Sequence, residues 1–197
     1  IGFMRVALKE CGIVVDALGR GEQVVILRKG GIAEGRGGFQ VEHERFWLFP
    51  TRYHQQAEGV VDAARERMNE LDWPAEDTVR IEYCAEVVAA ELLESLAEAK
   101  RLRGQHIWRD EVIAERFDWG RDEGIYAMAV RVSRLAKPVG LPLVEAYGGC
   151  KSWVELDRDL PAVTGSVLSD AAFANKLEAF NAALAGESVR RRCRRLS

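Results

Sequence analysis

Two short segments carry residue types that chemistry can use. Arg28-Lys29-Gly30-Gly31 closes a β-branched run, and Tyr147-Gly148-Gly149-Cys150-Lys151-Ser152-Trp153 stands far downstream. Each sets a double glycine beside a cation. Glycine lets a backbone approach a ligand closely and presents consecutive N–H groups, which with a neighbouring Lys or Arg suits a phosphate or carboxylate. The spacing is neither a P-loop nor a dinucleotide fingerprint: no Gly-Lys-Ser/Thr follows Lys29, and no helix opens after the glycines. A hairpin connection is the plainer reading of residues 28–31. If the fold carries both segments to one hollow, Arg28, Lys29, Gly30, Gly31, Gly148, Gly149, Lys151 and Ser152 line a single cationic pocket.

Between them lies Leu48-Phe49-Pro50-Thr51-Arg52-Tyr53-His54-Gln55. Thr51, His54 and Gln55 offer hydroxyl, imidazole and amide groups that can read the edge of a base. Trp47, Tyr53 or Trp153 supplies a ring on which a base can stack. Thr51 also reads as a helix N-cap. Candidates for catalysis are Lys29, Glu42, His54 and Cys150. In a strand, Glu42, Glu44 and Phe46 would share one face and His43, Arg45 and Trp47 the other. A carboxylate near an imidazole can move protons. Cys150 beside Lys151 can act as a nucleophile if its thiol ionises, although a free cysteine is more often buried. No HExxH or HxH spacing occurs, so no metal site is expected, and no motif calls for a cofactor.

The elements that must position these groups follow from apolar spacing. Ala7, Leu8, Cys11, Val14, Val15 and Leu18 predict one amphipathic helix over 5–18, ended by Gly19 and Gly21. Residues 23–28 predict a strand buried on both faces. Residues 45–50 predict an aromatic strand stopped by Pro50. A polar helix is expected from about 55 to 71, a strand over 78–87 and a helix over 89–103 closed by Gly104. A shorter helix follows at about 107–117. A strong strand over 124–135 leads to a loop marked by Pro138 and Pro142. Ser169 or Asp170 caps a last helix with Phe173, Leu177, Phe180 and Leu184 on one stripe. The order is α+β, without the regular alternation of a doubly wound sheet. One domain over 1–197 is expected, with its weakest division near 72–77.

The 197 residues are 48% hydrophobic and 30% charged, an ordinary globular balance, and the net charge of −3 argues against a protein basic all over. The distribution is uneven. Residues 23–56 hold five Lys/Arg against three Asp/Glu, and 124–153 hold four against one, while 57–123 hold nine against eighteen. The glycine-rich segments are therefore the positive ones, which favours an anionic partner there. The four scattered cysteines, with no visible signal peptide or membrane-length apolar run, lead to the expectation of a cytoplasmic protein with free thiols.

The segments "ALKECGIVVDALGRGEQVVILRKGGI", "FWLFPTRYHQ" and "YGGCKSWVEL" resemble blocks of an uncharacterised bacterial family, domain of unknown function 1802. That resemblance covers most of 5–155 and implies no activity. A weaker one concerns Gly21 to Arg28, which is similar to the G-x-K-x-x-E-x-R motif of the ASCH and EVE branch of PUA-like barrels. Gly21 and Arg28 agree. Gln23 and Ile26 replace the Lys and Glu on which ASCH-type amidohydrolase chemistry draws. The likeness implies a small mixed β-barrel of PUA-like type with helices packed around it, and a cleft that takes RNA or modified bases. Three functions follow as expectations: a nucleic-acid or modified-nucleotide binding module, a hydrolase acting on a nucleotide or nucleic acid, or an interaction subunit docking through the acidic helices. The sequence implies no membrane partner and leaves the oligomeric state open.

Overall fold

The computed structural model describes residues 4–29, 41–52, 58–118 and 124–186. Its first element corrects the expectation of a helix over 5–18. Strand β1 spans Val6–Cys11, and helix α1 begins only at Gly12 and ends at Gly19. The apolar positions fit both periods, and pairing decides. β1 lies parallel to β3 (Arg45–Thr51), with Ala7 opposite Trp47 and Cys11 opposite Thr51, and antiparallel to β6 (Trp153–Glu155). Two ladders satisfy both edges of β1, which a local helical pattern cannot match. Gly21, at φ +70, turns the chain into β2 (Val25–Arg28), a strand buried as expected.

The middle of the chain pairs β4 (Thr78–Leu93) with β5 (Ile125–Pro142) along nearly their whole lengths. This overturns two expectations. The stretch 89–93 was expected in a helix, but it continues β4 against 125–129; only Leu96–Lys100 is helical (α3), opened by a capping box between Ser95 and Glu98. Long-range pairing here outweighs local propensity. Pro138 and Pro142 do not mark a loop either. Ile81 pairs Val139 and Tyr83 pairs Arg134, so Pro138 sits in an irregularity where its missing N–H removes no ladder bond. Pro50 likewise lies inside β3, opposite Glu10. Helices α2 (Asp62–Met68) and α4 (Asp110–Asp118) fall within their expected regions, α2 over a shorter span. A short strand, β7 (Val163–Ser166), adds to β5.

The strand order is β2-β5-β4-β3-β1-β6, mixed because β1 and β3 are parallel and the other pairs antiparallel. Alternation along β3 divides the packing between two faces. Phe46 and Leu48 join Leu8, Ile26 and Met128 in the inner core, covered by α1, α4 and the closing helix α5 (Asp170–Ala185). Trp47 and Phe49 join Ala7, Ile81, Tyr147 and Val154 on the other face. The N-cap of α5 is Ser169, whose Oγ accepts from the Ala172 N–H at 3.2 Å; Phe173 and Phe180 are buried on the expected stripe. The end strands β2 and β6 share no ladder among the described residues, yet Arg28 at the end of β2 reaches Ser152, the residue before β6. The sheet therefore curls into a half-barrel with helices around it, and a seam runs between its two ends.

Candidate functional site

The seam gathers polar groups. On β1, Val6, Leu8 and Glu10 follow the strand period to one face, so an apolar row ends in a carboxylate. Glu10 is 6% exposed. Its Oε1 accepts from the Cys11 backbone N–H at 2.7 Å, and its Oε2 lies 3.6 Å from Nη1 of Arg28. Arg28 ends β2 and reaches across the seam, where its Nη2 donates to Oγ of Ser152, itself 2% exposed. A buried carboxylate needs such a partner because leaving water is costly for a charge.

Two more cations stand close by. Arg116 of α4 lies over the Trp108 ring at 4.2 Å, and its Nη1 points to the Leu27 carbonyl at 3.4 Å. Burial pulls its pKa below the ordinary arginine value; Glu10 opposes that and Arg28 adds to it. Lys29 donates from Nζ to the Phe117 carbonyl at 3.1 Å. Glu10 is thus faced by Arg28 and Arg116, and Lys29 lies just past the end of β2.

A strap closes the seam from the β6 side. It runs through the 3₁₀ turn Glu145–Tyr147 to Ser152. Lys9 holds it: Nζ donates to the carbonyls of Tyr147 and Gly149, each at 2.8 Å, and the Lys9 backbone N–H donates to the Ser152 carbonyl at 2.8 Å. Burial lowers the Lys9 pKa. Gly149, at φ +77, makes the turn that brings both carbonyls to one ammonium.

The two glycine-bearing segments therefore meet at Arg28 and Ser152. Around them the expected site residues divide. Gly148, Gly149, Cys150 and Lys151 lie exposed on the strap. Trp153 is half-buried, its ring edge-on to Phe46 and to His43 at 5.0 Å each. His43 was expected on the face opposite Phe46; the strand starts only at Arg45, so alternation does not govern it. Trp47 is corrected as a stacking platform. It is 4% exposed, and its indole N–H donates to the Met4 carbonyl at 2.9 Å. Thr51 is no helix cap; its Oγ1 donates to the Glu10 carbonyl at 3.1 Å and ties β3 to β1 beside the site. Glu42 is exposed, ahead of β3. Gly30, Gly31, Tyr53, His54 and Gln55 lie outside the described residues.

The thiols also divide. Cys150 is exposed, against the expectation of burial, while Cys11 and Cys84 are buried. Burial, then the Glu10 carboxylate, pushes the Cys11 thiol up to about 12, which keeps it protonated. Among the described residues no three His, Cys, Asp or Glu side chains gather as metal ligands would.

Sequence reasoning missed Glu10, Lys9 and Arg116. Glu10 and Lys9 were assigned to a helix; the Val6-Leu8-Glu10 alternation was the available signal. Arg116 had none, since a guanidinium turned toward a seam and one turned to solvent read alike in a helix.

The family model of domain of unknown function 1802 matches residues 7–179. The chain belongs to that family. No curated protein matches the sequence. Among solved structures, the chain is similar to the ASCH protein from Zymomonas mobilis, at 13% identity over 88% of this chain and 92% of that one, with a TM-score of 0.44. A mutant of that protein aligns at 12% identity, over 91% and 99% of the two chains, with a TM-score of 0.43. At the two departures from the ASCH-type motif, this family member has structural residues. Gln23 is buried; its Nε2 donates to the Val25 carbonyl at 2.7 Å and its Oε1 accepts from the Ile107 N–H at 3.2 Å. Ile26 is part of the inner core.

Proposed function

We propose that this protein binds a phosphate-bearing ligand of nucleotide or nucleic-acid type at the seam. One observation carries the reading: Arg28 and Ser152, from opposite ends of the sheet, meet beside Arg116 and a buried carboxylate. Arg28, Arg116 and Lys29 contact phosphate, and the Ser152 hydroxyl completes the cradle. Trp153 is the ring beside which a base packs. Binding is favoured over hydrolysis because the Glu10 carboxylate is already engaged by Arg28 and the Cys11 N–H, which leaves it a poor general base. Gln23 and Ile26, in place of the Lys and Glu of the ASCH motif, weaken the amidohydrolase reading further.

The test is a titration of short single-stranded RNA and of nucleoside monophosphates at several salt concentrations. The proposal expects an affinity that falls with salt, with a slope reduced by about one in Lys29→Gln. Binding no stronger than that of a charge-matched control protein defeats it. Hydrolysis of the same ligands by the wild type, abolished in Glu10→Gln, would replace it with the enzymatic reading.

A further inference from the structure

On the other side of the β1–α1 junction lies a cavity of about 230 Å³ that the seam does not use. Helix α1 forms its floor. Gly12, Asp16 and Gly19 stand at i, i+4 and i+7 and so share one face. The glycines leave a notch at each end. The Trp73 ring fills the space a Cβ on Gly12 would take, and the Tyr83 ring does the same at Gly19. Two aromatic rings are thereby seated about 10 Å apart along the helix axis, with Val15 and Asp16 between them.

The charge of this trough is one-sided. Among the described residues, its lining includes Asp16, Glu70, Asp72 and Glu82 against a single cation, Arg80. Arg80 is clamped by Asp72 Oδ2 at 2.9 Å and Glu82 Oε1 at 2.8 Å. Behind Asp16, Arg67 is shared between Asp16 Oδ2 at 3.5 Å and Glu22 Oε2 at 2.6 Å; Arg20 also pairs with Glu22, at 3.1 Å. Burial raises the Asp16 pKa above the usual carboxylate value, with Arg20 and Arg67 opposing it, so a further cation would favour its ionised form. Both rings already attract cations of this chain: Arg52 lies 4.8 Å from the Trp73 ring and Arg134 lies 5.4 Å from that of Tyr83.

We propose that this trough binds a primary alkylammonium ion on an aliphatic stem, a free polyamine, with ammonium groups at Asp16 and Glu70 and the stem between the rings of Trp73 and Tyr83. Rings seated about 10 Å apart along α1 suit an extended chain with charges along it better than a compact cation, and the carboxylates of the lining disfavour an anion.

The experiment is calorimetric titration of the full chain with spermidine, with Nα-acetyl-lysine methylamide as the side-chain analogue and glutarate as the anionic control. Spermidine is expected to bind saturably and more tightly than the lysine analogue, and glutarate not at all. Glu70→Gln, a change at an exposed position, is expected to weaken spermidine by about fivefold, and Asp16→Asn by about tenfold, as lost ion contacts in a part-buried site would. Absence of saturable spermidine binding overturns the proposal, as does affinity unchanged by Glu70→Gln. Tighter binding of the lysine analogue overturns the polyamine assignment. If Asp16→Asn fails to fold, Glu70→Gln decides.

Discussion

His106 offers a measurable link between burial and the charge of the seam. The side chain is 7% exposed, and its Nδ1 accepts from the Trp108 backbone N–H at 3.2 Å. Burial first, and then the Arg116 guanidinium, lower its pKa from 6.5 to about 4. The folded-state value lies below the unfolded one. Neutral His106 therefore contributes its full stability above pH 6.5, and this is lost as pH falls from 6.5 toward 4, because the unfolded chain takes up the proton first. That lowering corresponds to about 3 kcal/mol at most, of which roughly 1 kcal/mol is gone by pH 5.5 and most by pH 4.5. The assay is urea denaturation of wild type and His106→Asn at pH 7.5, 5.5 and 4.5. Carboxylates titrate in both proteins, so the difference isolates His106. The variant should be less stable at pH 7.5, and the difference should shrink by the amounts above. A difference constant from pH 7.5 to 4.5 would refute a buried neutral imidazole. Since Arg116 depresses the same pKa, Arg116→Met should raise it in an NMR titration, and so should an anion bound at the seam.

Two further outcomes concern the seam itself. Arg28→Met leaves Glu10 buried without its ion-pair partner and should cost about 2–4 kcal/mol in denaturant unfolding; Glu10→Gln in that background should recover most of it, and a double variant no more stable than the single would show that the pair is not coupled. Of the described thiols, Cys150 should react with a thiol reagent in the native state while Cys11 and Cys84 wait for unfolding. Persistence of an unchanged fast phase in Cys150→Ser would contradict its exposure.

The local patterns legible in the sequence were those in which one period had no competitor. The β-branched run at 25–28, the strand from 125 and the Ser169-capped helix with its Phe173–Phe180 stripe all formed as their residues required. Where a segment suited two periods, the sequence misled. Residues 6–11 and 89–93 have apolar spacing and propensity compatible with a helix, and became strands because partners distant in the chain offered complete hydrogen-bond ladders. Pro138 misled for a related reason: a proline breaks a strand only where its N–H is needed, and the irregular pairing with β4 removes that need.

By itself, then, the sequence determined that two cationic glycine segments exist, that the chain is α+β, and that positive charge concentrates away from its acidic middle. Only the tertiary structure decided that Arg28 and Ser152, 124 positions apart, meet across a seam, and that Glu10 and Arg116 join them there. The reason is physical. Composition and period are properties of neighbours along the chain, whereas a site at the junction of two sheet ends is set by curl and strand order, which depend on every ladder at once. The same holds for the trough over α1: Gly12 and Gly19 are visible in the sequence, but the rings that fill their notches arrive from some sixty residues away.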